Sequence, residues 1–184
     1  MPTGNFQNSI HYRFLKYISI ILLVSTCALS SIIALNEWFT LRNALITKGR
    51  SFASYIANLS IDPLIMKDSI QLDNIVKEIN KDEDILYCLI EDAHGNFMTS
   101  QYASLNYKSP RLKNIRFGSQ KGTELPDMIR VIKRETNMTE LSLPIRTGTD
   151  AIGKVLISLS EDNISKQIMQ TIIIVIVLNM LAHF

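Results

Sequence analysis

Apolar residues crowd the two ends of this chain and alternate with polar ones between them, and that contrast predicts its organisation. Residues 17–35 (YISIILLVSTCALSSIIAL) carry no charge. A helix of that length spans about 28 Å, the hydrocarbon thickness of a bilayer. Arg13 and Lys16 precede the run, and no acidic residue occurs before Glu37. Basic residues beside a first span hold that end in the cytoplasm. Trp38 and Phe39 follow, as interfacial aromatics do. A cleaved signal peptide would present a shorter apolar core. This run continues to Leu35, so an uncleaved anchor is expected. Residues 168–184 (IMQTIIIVIVLNMLAHF) are a second apolar run, at the lower length limit for a span. The expected organisation is a cytoplasmic N-terminus (1–16), a first transmembrane helix (17–35), an extracytoplasmic domain (36–167) and an incomplete second transmembrane helix (168–184).

The middle of the chain switches period. In residues 36–62, Trp38, Leu45, Phe52 and Leu59 recur every seventh position, with Leu41 and Tyr55 between them. The pattern predicts a helix with a heptad-like seam, interrupted at Lys48-Gly49. Two arrangements satisfy it. The helix either pairs with its copy in a homodimer through Leu41, Leu45, Phe52 and Leu59, or packs on its own sheet. Asp62-Pro63 predicts the end of that helix or a kink, with a connecting turn over residues 63–68. Ser69 is a candidate N-cap for a helix over 70–80, whose Leu72, Ile75, Val76 and Ile79 share a face.

Five strands are then expected: 85–91, 96–102, 128–135, 139–146 and 152–159. Asp92 to Gly95 and Gly148 to Asp150 supply the turn chemistry. Pro144 cannot donate to a ladder, which puts its strand at an edge. Ser160 caps a further helix, with Glu161 and Asp162 in its first turn. Helices followed by antiparallel strands define an α+β layer arrangement.

Chemistry adds constraints. Cys27 lies in the first apolar run and Cys88 in an expected strand, so no disulfide framework exists. His11, His94 and His183 fall in three compartments, and a metal site built from them is not expected. Asp82-Glu83-Asp84 reads as a solvated turn rather than a cation loop. No phosphate loop, nucleophile elbow, HExxH or CxxC is present. The chain is therefore not expected to be an enzyme or to hold a cofactor. The net charge of +2 gives no reason to expect a nucleic-acid partner.

The charge is unevenly placed. Residues 103–134 hold eight bases (Lys108, Arg111, Lys113, Arg116, Lys121, Arg130, Lys133, Arg134) against two acids (Glu124, Asp127). Such a run is an anion site, a surface for acidic lipid headgroups, or a solvated basic loop. On the first reading the ligand is a small organic anion, most simply a carboxylate. Arg116, Arg130 and Arg134 are then its candidate contacts, since a guanidinium fork grips a carboxylate with two hydrogen bonds. Tyr102 and Tyr107 are candidate pocket walls, or else ordinary surface or core tyrosines.

Residues 63–100 (PLIMKDSIQLDNIVKEINKDEDILYCLIEDAHGNFMTS) and 140–164 (ELSLPIRTGTDAIGKVLISLSEDNI) resemble the opening and closing parts of the Cache family of bacterial receptors. The resemblance rests on the strand ending in Asp92-x-x-Gly95, and on Pro144-Ile145 followed by Ile152-Gly153-x-Val155. It implies a PAS-like five-stranded antiparallel sheet with N-terminal helices, flanked by two transmembrane helices. A ligand pocket would lie between the sheet and the connection after the second strand. It further implies a bacterial inner-membrane receptor with a periplasmic or extracellular sensor domain. The second span would signal to a kinase, cyclase or chemoreceptor-type output beyond residue 184, so the chain is expected to be a fragment or an interrupted gene. A two-span structural subunit docking an extracytoplasmic partner protein is the alternative.

Overall fold

A computed structural model describes residues 5–115 and 124–182. Two units make up the chain: residues 42–163, and the flanking stretches 1–41 and 164–184. The elements in order are α1 (Asn5–Leu59), α2 (Ile61–Met66), α3 (Ser69–Ile79), β1 (Ile85–Asp92), α4 (Gln101–Ser104), α5 (Pro110–Asn114), α6 (Leu125–Glu135), β2 (Met138–Thr147), β3 (Asp150–Ser160) and α7 (Asp162–Ala182).

The protein is α+β with one antiparallel sheet of order β1-β3-β2. Strand β3 is central. It pairs Cys88 with Ile157 on one side and Leu141 with Ile157 on the other. Strand β2 is an edge, which accommodates Pro144. The β2–β3 hairpin turns at Gly148, whose φ of 63° is open to glycine without strain.

Among the described residues, three strands stand where five were expected. Residues 96–102 form no strand: Asn96 O accepts from the Asp92 N–H at 3.0 Å, Phe97 bridges Glu91, and the Met98 N–H donates to Ile90 O at 2.8 Å, before the chain turns into α4. Residues 128–135 are not a strand. They lie in α6, whose buried Leu125, Met128, Ile129 and Ile132 follow the helical spacing i, i+3, i+4, i+7. A window opening at Met128 leaves out Leu125, and the isoleucine and valine content then mimics a strand. Pro126 in the first turn and Asp127 beside it mark the helix start.

The interrupted heptad also resolves. Leu45 is buried within residues 42–163, along with Gly49, Ala53, Ile56 and Ala57. Leu41 and Phe52 are half-buried and Leu59 is exposed. The proposed seam is therefore not one stripe: Leu45 belongs to the domain's own core. Gly49 marks the contact rather than a break. A Cβ there would meet Leu159 Cδ1 at 2.3 Å and Leu141 Cδ1 at 2.6 Å, so the helix backbone lies directly on the sheet.

At Ser60 the helical path bends into α2 instead of a loop, with the Leu64 N–H donating to Ser60 O at 2.9 Å. Lys67, left-handed at φ 54°, closes α2. The cap of α3 is Asp68, one residue before the expected Ser69; its carboxylate accepts from the Ile70 and Gln71 amides. The acidic triplet is an ion-pair platform: Lys48 Nζ lies 2.8 Å from both Asp82 and Asp84 carboxylates.

Among the described residues, one helix is long and apolar enough to cross a membrane: Arg13–Leu59, within α1. In the flanking unit, Cys27, Ser30, Ser31 and Ala34 of α1 face Thr171, Ile172, Val175 and Ile176 of α7 across a gap of about 290 Å³.

Candidate functional site

Two cavities of the 42–163 unit bear on the expected anion site, and they differ in charge balance. The inner one, about 170 Å³, lies between the sheet and α6 and is lined by Tyr87, Leu89, Glu91, Phe97, Pro126, Ile129, Lys133, Glu140 and Leu156. Its ionic groups satisfy one another. Glu140 accepts a hydrogen bond from the Tyr87 hydroxyl and lies 2.7 Å from Lys133 Nζ. Glu91, largely buried, lies 2.8 Å from Lys154 Nζ. Burial opposes charge on Glu140, but the hydrogen bonds from Lys133 and Tyr87 outweigh it and hold the carboxyl below its ordinary range. Burial, reinforced by Glu140, pushes the Tyr87 phenol far up. Two carboxylates matched by two ammonium groups leave no net charge for an anion.

The outer cavity is a groove of about 310 Å³ between the end of α3 and the α4–α5 segment. Tyr102 and Tyr107 stack along it with ring centroids 6.2 Å apart and planes inclined at 27°. Lys77 Nζ lies 5.5 Å from the centroid of the Tyr102 ring, a cation–π contact. Lys81 and Lys108 complete the basic lining. Lys81 is ion-paired to Glu78 at 2.5 Å, while no carboxylate pairs with Lys77 or Lys108 among the described residues.

The groove is held by side-chain to backbone bonds. Asn106 Nδ2 donates to Asp82 O and Ile85 O, both at 2.8 Å, and pins the α4–α5 segment to the start of β1. Asn80 Nδ2 donates to Ala103 O at 2.6 Å and Ser104 O at 3.1 Å. Two carbonyl partners fix which end of that amide is nitrogen. The other end, Oδ1, is buried without a partner among the described residues. An orphaned buried acceptor costs about 1–3 kcal/mol.

The structure thus brings Tyr102 and Tyr107 together and does not bring Arg130 or Arg134 to them. Arg130 and Arg134 are exposed on α6, on the side away from Met128, Ile129 and Ile132. Arg130 is paired with Asp127 at 3.0 Å. Arg116 lies outside the described residues. The cations that do reach the tyrosines are lysines. Lys108 belongs to the basic run legible in the sequence, whereas Lys77 comes from α3, and Asn80 and Lys81 from its C-terminal cap and the turn that follows.

Arg111 links this region to the chain's exit. Its Nη2 donates to Asp162 Oδ1 at 2.7 Å, and its Nε lies 2.5 Å from Asp162 Oδ2. Asp162 opens α7. Comparison of the sequence with family models and with curated proteins finds no match.

Proposed function

We propose that this chain is the sensory and membrane-spanning portion of a bacterial signalling receptor of the Cache type. It binds a small extracytoplasmic organic anion and relays occupancy through α7 to an output beyond residue 184. The observation that carries this reading is the Arg111–Asp162 pair. The segment that lines the groove is tied by a two-point ionic contact to the first turn of α7, and β3 feeds the same turn directly. A ligand that prefers one position of the α4–α5 segment then biases α7 by that preference.

Several features support the membrane part. Residues 17–35 are long enough to span, and Arg13 and Lys16 orient that span with the domain outside. In α7, residues 168–177 carry no charge, and Thr171, Ile172, Val175 and Ile176 face a row of small side chains on α1, the composition membrane-helix interfaces favour. The receptor acts as a homodimer, paired along the part of α1 left outside the domain core, where Tyr55 and Leu59 are exposed. The fuller five-strand Cache sheet would need strands that the described residues do not form.

Joining residues 1–184 to the cytoplasmic half of a chemoreceptor tests the reading. Output should respond to organic carboxylates, and Arg111→Ala should uncouple the response without abolishing binding. Constant output under every carboxylate that binds the chain overturns the receptor reading. Thr149→Cys, in the exposed hairpin turn, should react with an impermeant maleimide on intact cells; protection there overturns the orientation.

A further inference from the structure

We infer that the groove between α3 and the α4–α5 segment is a site for a single-ring organic carboxylate that also bears a hydroxyl or amino group. This deepens the receptor reading by naming the ligand class, and rests on it only for the signalling consequence. Binding itself is argued from the groove.

Three features define the occupant. The first is Asn80. The residue is only 7% exposed, lines the groove, and spends both amide hydrogens on Ala103 O and Ser104 O. Its Oδ1, fully buried, has no partner among the described residues, and a hydrogen-bond donor that reached it by shifting the groove wall would satisfy it. A bare carboxylate cannot supply one; a hydroxyl or amino substituent can. Tyr102 and Tyr107, which border the groove, are 75% and 40% exposed.

The second feature is charge. Lys77 and Lys108 bring two ammonium groups to the groove with no carboxylate among its lining residues. The inner cavity beside α6, by contrast, already pairs each of its cations with a carboxylate. Positive charge left unmatched in the groove selects an anion. The same lining argues for a monoanion over a phosphate. It contains no arginine fork, and it lies at the C-terminal end of α3, whose dipole presents negative charge.

The third feature is shape. The paired tyrosine rings form an apolar wall suited to a flat ring. A volume of about 310 Å³ sits at the small end of ligand pockets and fits one ring with its substituents.

Calorimetry on the full chain in detergent decides the matter, with benzoate, the three hydroxybenzoates, the three aminobenzoates, phenol and inorganic phosphate as probes. The best substituted benzoate should bind about tenfold more tightly than benzoate, the worth of one well-made hydrogen bond to a buried acceptor. Benzoate should in turn exceed phenol and inorganic phosphate. Lys77→Gln with Lys108→Gln, both at exposed positions, should weaken the acids about tenfold and leave phenol unchanged. Tyr102→Ala should weaken every ring compound. Absence of ring-acid binding, or binding indifferent to the lysine pair, overturns the site. Equal affinity for benzoate and all six substituted acids overturns the role of Asn80. If a substituted benzoate binds as expected while the chemoreceptor hybrid stays silent, the site stands and the receptor reading falls.

Discussion

The two faces of the sheet obey different rules. The face toward α1 and α2 is apolar and pressed close, with glycines where backbones meet: Gly49 lies on Leu159 and Leu141, and Gly153 lies against Glu91 O and Leu64. The face toward α6 mixes aliphatic residues with a charged cluster of Tyr87, Glu91, Lys133, Glu140 and Lys154. Close packing tolerates little change in volume, so the first face fixes the fold. The second holds its polar groups by mutual hydrogen bonds, and such groups can exchange partners. Chemistry therefore has room on the α6 side and at the α3 groove, and none beneath α1.

Truncation beneath α1 should break this contrast most sharply. Leu159→Ala empties a fully buried position under the helix and should cost about 3 kcal/mol, read from thermal unfolding of the full chain in detergent. A loss under about 1 kcal/mol would show that the helix does not rest on the sheet. Gly153→Ala comes next. The added methyl would meet Glu91 O at 2.3 Å, a backbone atom that cannot rotate away, and should cost about 2 kcal/mol by overpacking. Gly148→Ala separates backbone strain from overpacking: nothing lies near its Cβ position, and its φ of 63° alone should cost about 1 kcal/mol.

On the other face the effects should be smaller and should depend on pH. Tyr87→Phe removes one hydrogen bond to Glu140 and should cost about 1 kcal/mol near neutrality. Glu140 is held below its ordinary 4.5, so its stabilisation is present above that value and fades as pH falls through the lower folded value. The gap between Tyr87→Phe and the parent chain should narrow in acid, seen in paired melts at neutral pH and well below 4.5. A gap independent of pH would mean that the hydroxyl serves something other than the carboxylate. Smallest of all, Arg130→Ala should stay within about 0.5 kcal/mol, because its pair with Asp127 is exposed on one helix turn. A larger loss would give α6 a structural role for its outer side.

Local chemistry carried much of the outcome. An uncharged run of residues 17–35, strict alternation through Leu141, Leu143 and Ile145, a turn glycine at 148 and a proline at an edge each act over a few positions. A sequence displays those rules directly. Tyr102, Tyr107 and Lys108 were likewise visible as a cluster, since the chain itself keeps them near one another. Burial alone distinguished α6 from a strand: Met128, Ile129 and Ile132 suit either period until Leu125 is seen to share their face. Gly49 read as an interruption because nothing in a heptad reveals that a sheet lies against the backbone there. Arginine was the expected anion contact, on chemistry that is sound but blind to direction. Helix α6 turns Arg130 and Arg134 outward, while α3 and the Asn80 cap that closes it, more than twenty residues before Tyr102, bring Lys77 and Asn80 to the groove. Sequence determined which segments are apolar and where they turn, because hydration and backbone sterics are local. The tertiary structure decided which cations face the tyrosines and which acceptor lacks a donor, because convergence and satisfaction are properties of segments brought together only by folding.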